Sequence, residues 1–370
     1  MFRRTSGPTR EQVLEALRDV HDPELHKSIV DLGMVREVGV QDGSVSVQAL
    51  LTISGCPLRE TIESSIRDRL LALPGVNRVD VKLGVMSQDE RQALVQKLRG
   101  GEMHPAKKSS FLTADSTTRV VTVASGKGGV GKSTVTANLA MALALDGHRV
   151  GVIDADVYGF SIPRMLGVSG RPTAIDQMLI PLERDGIRVM SIGFLLPNEN
   201  EAVIWRGPML HKALMTFISE VHWGDDLEYL LIDLPPGTGD VSLSLAQTLP
   251  QASMILVTTP QPAAATVAER AAKMAEKVNM EVIGVIENMS GFVPSPGAAT
   301  VDLFGRGGGR QLAERLGVPL LAEIPLDITM REGADVGEPV VKSHPHGPAA
   351  QALRSAARML AERVPVPVRS

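Results

Sequence analysis

The sequence predicts two α/β domains, a small one at the N-terminus and a larger one built on a doubly wound, mostly parallel sheet. Three observations lead there. Short apolar runs alternate with helical periodicity from about residue 119 onward, and a glycine-rich turn joins the first of those runs to an Ala- and Leu-rich helix. The apolar spacing also breaks between Lys97 and Thr118, where Gly100, Gly101, Pro105, Lys107, Lys108, Ser109 and Ser110 intervene. The expected boundaries are residues 1–96 for the small domain, 97–118 for a linker and 119–370 for the large domain.

In the small domain, Val13, Leu14 and Leu17 fall on one face of a helix expected over Arg10–Val20. A strand over Ser46–Ile53 follows, then a helix over about Leu58–Leu71 and a strand over Arg78–Leu83. Cys56 stands between that first strand and the second helix, where the positive helix end favours a thiolate. In the large domain the apolar runs Val120–Ala124, Val150–Ile153, Val189–Ile192, Tyr229–Ile232, Met254–Val257 and Glu281–Ile286 are separated by helical segments. Continuous apolar strands of this kind are buried on both faces of a parallel sheet.

Composition narrows the partners. With 370 residues, 44% of them hydrophobic, the chain can bury two cores. A net charge of -4 offers no basic excess for neutralising phosphates, so no nucleic-acid partner is expected. No run approaches the roughly 20 apolar residues of a membrane span, and the first residues lack the apolar centre of a secretory signal. The expectation is a cytoplasmic protein without a membrane partner. The single cysteine, Cys56, fits a reducing compartment and cannot form an intrachain disulfide.

The chemistry is concentrated where the strand Val120–Ala124 runs into Gly126-x-x-x-x-Gly131-Lys132-Ser133, followed by a helix from about Thr134 to Leu145. Strand, loop and helix in this order make a P-loop, and the expected ligand is ATP with Mg²⁺. Gly126, Lys127, Gly128, Gly129, Val130, Gly131, Lys132, Ser133 and Thr134 form the cradle, whose backbone N–H groups and helix N-terminus favour phosphate. Lys132 is expected on the β- and γ-phosphates and the Ser133 hydroxyl on Mg²⁺. Three aspartates end later strands on the same sheet edge: Asp154, Asp156 and Asp233. Asp233 is expected to hold a Mg²⁺-bound water, Asp154 to support the metal shell and Asp156 to orient the attacking water.

The loop Gly126-Lys127-Gly128-Gly129-Val130-Gly131-Lys132-Ser133 resembles the deviant Walker A signature of the family that includes MinD, ParA, ArsA and the nitrogenase iron protein. That resemblance implies a nucleotide-sandwich homodimer in which Lys127 reaches the partner's phosphates as a catalytic residue. Within that group, Asp154–Pro163, Trp205-Arg206-Gly207-Pro208-Met209, Asp233-Leu234-Pro235-Pro236-Gly237-Thr238-Gly239-Asp240, Glu287-Asn288-Met289-Ser290 and Ile324-Pro325-Leu326-Asp327 resemble the Mrp/ApbC type of iron–sulfur cluster carrier. The resemblance implies that Asn288 and the backbone around Pro325 hold the adenine, and that the partners are iron–sulfur apoproteins or scaffold proteins. His21-Asp22-Pro23-Glu24-Leu25 and Ser54-Gly55-Cys56-Pro57-Leu58 resemble a small iron–sulfur assembly domain often fused to these carriers.

One departure stands out. The family's Cys-x-x-Cys pair usually follows the Glu-Asn-Met-Ser strand, and the corresponding stretch here, Gly291–Ala298, has no cysteine. Cys56 is then the sole thiol candidate for an iron–sulfur ligand. The competing reading is a MinD- or ParA-like spatial-organisation or regulatory ATPase without a cluster. A membrane-binding version of it calls for a terminal amphipathic helix with bulky insertion residues. The last helix, Pro348–Val364, instead carries a stripe of Ala349, Ala352, Leu353, Ala356, Ala357 and Leu360, suited to packing on a sheet.

Overall fold

The computed structural model describes residues 7–53, 58–99, 116–157, 159–196, 207–237, 248–249, 251–295 and 298–367. Cys56, Tyr158, Trp205, Arg206, the run Thr238-Gly239-Asp240 and most of the expected linker lie outside the described residues. The chain forms two compact units, Met1–Pro105 with Thr173–Ile180, and Ala106–Pro172 with Pro181–Ser370.

The first unit begins with α1 (Arg10–Leu17), whose N-cap Thr9 and Gln12 form a reciprocal capping box. β1 (Val35–Gln41) and β2 (Ser44–Leu51) pair antiparallel through a two-residue turn, Asp42-Gly43. Both turn residues have positive φ, 47° and 79°, as the tightest hairpin turns require. α2 (Arg59–Leu71), β3 (Arg78–Val85) and α3 (Gln88–Leu98) complete the unit, with β3 parallel to β2. Val13, Leu17, Val45, Val47, Ile62, Ile66 and Leu70 form its apolar core.

In the second unit β4 (Arg119–Ser125) leads through the glycine loop into α4 (Lys132–Leu145) and β5 (Val150–Asp154). α4 lacks a polar face because it is buried almost all round, from Val135 to Leu143. After α5 (Ile162–Met165) the chain contributes a short hairpin, β6 (Thr173–Ile175) and β7 (Met178–Ile180), to the first unit. It then returns as β8 (Leu182–Arg184) and β9 (Ile187–Ser191). There follow α6 (Gly207–Ser219), β10 (Tyr229–Asp233), β11 (Ser253–Thr258), α7 (Pro262–Lys277), β12 (Glu281–Phe292), α8 (Gly308–Leu316), β13 (Leu320–Leu326), α9 (Ile328–Val336), α10 (Val340–Ser343) and α11 (Pro348–Arg363).

Among the described residues the main sheet has eight strands in the order β13-β12-β11-β4-β10-β5-β9-β8, all parallel except the edge strand β8. The fold class expected from the sequence is the one observed. Successive strands depart in opposite directions from β4, with β5 and β9 on one side and β11, β12 and β13 on the other. Such a switch point opens a crevice at the carboxyl ends of the strands. The small-residue stripe of α11 is consumed inside the core: Ala349, Leu353, Ala356, Ala357 and Leu360 are at most 1% exposed and pack in one cluster with α4. On its outer side Arg354 and Arg358 face Asp146.

The end of β12 is anchored twice. Glu287 is fully buried, and its carboxylate accepts from Gly309 N at 2.6 Å and from Ser290 Oγ at 2.7 Å. The carboxylate thus sits on the N-terminus of α8, a favourable place for negative charge. Beyond it the strand bends at Met289 and Gly291, both of positive φ, and an antiparallel bridge joins Phe292 to Val301.

Candidate functional site

The crevice is lined by the loop between β4 and α4. Its glycines are set by packing. A Cβ on Gly126 would lie 2.3 Å from Ala268 N on α7, and one on Gly131, whose φ is +80°, would lie 2.2 Å from Asn288 Nδ2. Gly129 also has positive φ, the left-handed backbone with which glycine lets a loop curl tightly round a phosphate. A Cβ on Gly128 would meet, among the described residues, Pro236 at ordinary contact distance, 3.9 Å, and Val130 is buried with its carbonyl accepting from Asn288 Nδ2 at 2.9 Å.

Lys132, Ser133, Asp233, Asp154 and Asp156 come together at this edge. Lys132 Nζ lies 2.7 Å from Asp233 Oδ2 and 4.0 Å from Asp156 Oδ2, and its side chain is 5% exposed. Ser133 Oγ donates to Asp233 Oδ2 at 2.5 Å and accepts from Lys132 Nζ at 3.4 Å, which leaves one hydroxyl lone pair for another partner. Asp233 is fully buried at the end of β10, and Thr136 Oγ1 donates to its second oxygen at 2.8 Å. The sequence reading missed Thr136. Its signal was available, because a residue four positions after Lys132 on a helix lies on the same face.

Asp154, at the end of β5, has its Oδ2 occupied by Ser161 N at 3.0 Å, Ile162 N at 3.1 Å and Ser191 Oγ at 3.2 Å. Its Oδ1 accepts from Asp156 N at 3.3 Å. Complete burial, and secondarily the charge of Asp233, push its pKa up to about 8. Ser191 is a second missed residue, and it too ends a strand at this edge. Asp156 Oδ1 accepts from Gly159 N at 3.2 Å. Lys127 is exposed, its Nζ donating to Gln261 Oε1 at 3.3 Å. Thr134 offers its carbonyl to Asn138 Nδ2, and Pro325 follows Ile324, the residue of β13 in register with Asn288.

Two observations test the fit of ATP and Mg²⁺. Asn288 is 1% exposed and its Oδ1 has no hydrogen-bond partner among the described residues, so a buried acceptor there can take a donor beside the cradle. The oxygen donors beside Lys132 are hydroxyl and carboxylate, the chemistry of a hard cation that keeps phosphate and water in its shell. No group of three or more His, Cys, Asp or Glu able to hold a metal ion on protein ligands alone occurs among the described residues. Mg²⁺ at a nucleotide does not need one. No helix is long and apolar enough to cross a membrane, again among the described residues.

A family model described as NUBPL iron-transfer P-loop NTPase, of the ParA group, matches residues 116–361, and one described as iron–sulfur cluster assembly protein matches residues 10–83. The iron–sulfur cluster carrier protein of Mycobacterium tuberculosis is 47% identical over 364 residues, covering 96% of this chain and 94% of that protein. The protein of the same description from Deinococcus radiodurans is 46% identical, covering 96% of each. Among solved structures, a nucleotide-binding protein of Archaeoglobus fulgidus in complex with ADP aligns with a TM-score of 0.54 and 38% identity, over 62% of this chain and 90% of that one.

Proposed function

The chain belongs to the iron–sulfur cluster carrier family of P-loop NTPases, and from that premise we propose that it binds and hydrolyses ATP to deliver iron–sulfur clusters to apoproteins. The observation that supports this most directly is the convergence of Lys132, Ser133, Asp233 and Asp156 on one glycine cradle.

The contacts support a division of work among these residues. Lys132, now neutralised by Asp233, exchanges that carboxylate for the β- and γ-phosphates. Ser133 is the direct ligand for Mg²⁺, and Asp233 orients its hydroxyl, with Thr136 fixing the other carboxylate oxygen. Mg²⁺ supplies neutralisation of the charge on the phosphate oxygens. Asp154 holds the backbone of Ser161 and Ile162 and supports the metal shell from behind. Asp156 orients the attacking water. Asn288 Oδ1 accepts from the exocyclic amino group of adenine, with the backbone at Pro325 beside it. Lys127, exposed on the loop, reaches the phosphates bound by the partner of a homodimer.

The cluster is cargo, and its ligands are not the family's usual pair, since Gly291–Ala298 has no cysteine. A homodimer brings one Cys56 from each chain, so the remaining ligands come from a partner protein, a small thiol or an oxygen or nitrogen ligand. The alternative of a membrane-bound organiser loses its instrument, because the apolar stripe of α11 lies in the core. Anaerobic reconstitution with iron and sulfide tests the reading, with iron counted per chain in wild type and Cys56→Ser and ATP turnover measured in wild type and Asp156→Ala. The expectation is a labile cluster lost in Cys56→Ser, and ATP binding without turnover in Asp156→Ala. Equal iron in both proteins removes Cys56 as a ligand. Absence of iron from both makes the chain an ATPase partner in assembly, and absence of wild-type turnover overturns the enzyme.

A further inference from the structure

The hairpin β6–β7 leaves the nucleotide-binding unit at Pro172 and re-enters it at Pro181, and its eight residues belong to the N-terminal unit. Ile175, Met178 and Ile180 are at most 2% exposed and share the apolar core of that unit with Leu17, Ile29 and Leu50. Its polar edges are fastened as well. Thr173 Oγ1 donates to Glu24 Oε1 at 2.8 Å, and Arg91 Nε pairs with Asp176 Oδ1 at 3.3 Å. Glu24 stands in the His21-Asp22-Pro23-Glu24-Leu25 motif, where Asp22 Oδ1 accepts from Glu24 N and Leu25 N, both at 2.9 Å. A two-stranded hairpin of three-residue strands is not stable by itself in water, so its order depends on this core.

Both roots of the hairpin lead back to one carboxylate at the nucleotide site. The root before it passes through α5, whose leading amides at Ser161 and Ile162 donate to Asp154 Oδ2. The root after it is β8, which pairs with β9, and β9 ends at Ser191, whose hydroxyl donates to the same oxygen. Arg184 Nη1 donates to Gly167 O at 2.7 Å and staples the two roots together. Asp154 in turn receives the backbone N–H of Asp156, whose carboxylate faces Lys132. Phosphate drawing Lys132 away from these carboxylates therefore acts on the carboxylate that holds both roots.

We propose that β6–β7 is a coupling arm through which the nucleotide state of the P-loop is transmitted to the N-terminal unit at its Asp22-Pro23-Glu24 motif. The inference rests on nucleotide binding at the P-loop. Coupling is reciprocal, so what nucleotide does to hairpin docking, loss of docking must do to nucleotide affinity by the same factor.

The test uses the full chain with a non-hydrolysable ATP analogue and Mg²⁺. In wild type the analogue changes the exchange rates of the Ile29 and Leu50 amides, both held in backbone hydrogen bonds within the N-terminal unit. Met178→Asp, which undocks the hairpin, abolishes that response and shifts analogue affinity by about 5-fold or more, although no hairpin residue lines the cradle. Thr173→Val combined with Arg91→Ala loosens docking without touching the core and gives a smaller shift of the same sign. Ile66→Ala weakens the same core on α2 and leaves analogue affinity unchanged, which separates undocking from general destabilisation. Unchanged exchange in analogue-bound wild type overturns the coupling alone. So does wild-type affinity in Met178→Asp, or an equal shift in Ile66→Ala. A wild type that binds no analogue overturns the nucleotide reading along with it.

Discussion

Substitution of Lys132 by alanine should destabilise the nucleotide-free protein as well as abolish ATP binding. The ammonium is 2.7 Å from Asp233 Oδ2, with the two side chains 5% and 0% exposed. Removing one member of such a buried pair leaves the other charge uncompensated and costs about 3–5 kcal/mol. Asp154, buried beside Asp233 and held largely protonated near neutral pH, offers no compensating positive charge. At roughly 2–4 °C per kcal/mol for a domain of this size, the melting transition should fall by about 10 °C. Calorimetry of nucleotide-free wild type and Lys132→Ala near neutral pH measures it. The double variant Lys132→Ala/Asp233→Asn, which carries no stranded charge, should recover more than half of the loss, and the double-mutant cycle then isolates the pair. Neither variant should bind ATP. A Lys132→Ala protein melting within about 2 °C of wild type would refute the claim that this lysine neutralises a buried carboxylate, since a broken buried pair costs more than that.

Two further outcomes follow from the same geometry. Asp154 has a folded-state pKa raised from 3.8 to about 8 by burial, so its ionisation costs stability that grows as pH rises through that window and is constant above it. Asp154→Asn cannot ionise, and the melting temperature of the variant relative to wild type should therefore increase from pH 5 to pH 8.5, whatever the offset from lost acceptors. A difference independent of pH would show that Asp154 is charged throughout. For Gly126→Ala, the added Cβ meets the α7 backbone at Ala268 N, which cannot yield as a side-chain tip could. Overpacking of this kind costs about 1–3 kcal/mol, and the loop must shift, so ATP affinity measured by titration calorimetry should drop together with the melting temperature. Wild-type affinity in this variant would mean that α7 moves aside without disturbing the cradle.

The central strands were legible because each is buried on both faces, and so carries an uninterrupted apolar run; β4, β5, β10 and β11 follow the expected spans closely. The cradle was legible for a different reason, since glycine, lysine and serine at fixed spacing have few other uses between a strand and a helix. β1 was not seen because its residues are only half-buried or exposed, which leaves no apolar alternation to detect. The three-residue strands β6, β7 and β8 are too short for any periodicity and are bounded by Asp176, Pro181, Asp185 and Gly186, which read as loop. Membership of Thr173–Ile180 in the N-terminal unit could not be read at all, because it depends on packing between segments far apart in the chain. At the site, the aspartates were found by their place at strand ends, while Thr136 and Ser191 were passed over as ordinary hydroxyls.

The double anchorage of Glu287 separates scaffold from contents. Its buried carboxylate ties the end of β12 to the start of α8, and the Phe292–Val301 bridge closes the base of the segment between them. The ends of that segment are therefore held in place by groups outside its tip. Loop closure depends only weakly on length, about 0.6 kcal/mol for each doubling, so the length of chain beyond the bridge weighs little on folding. Change beyond the Phe292–Val301 bridge is thereby decoupled from the nucleotide-binding frame, which keeps its own anchors at Glu287.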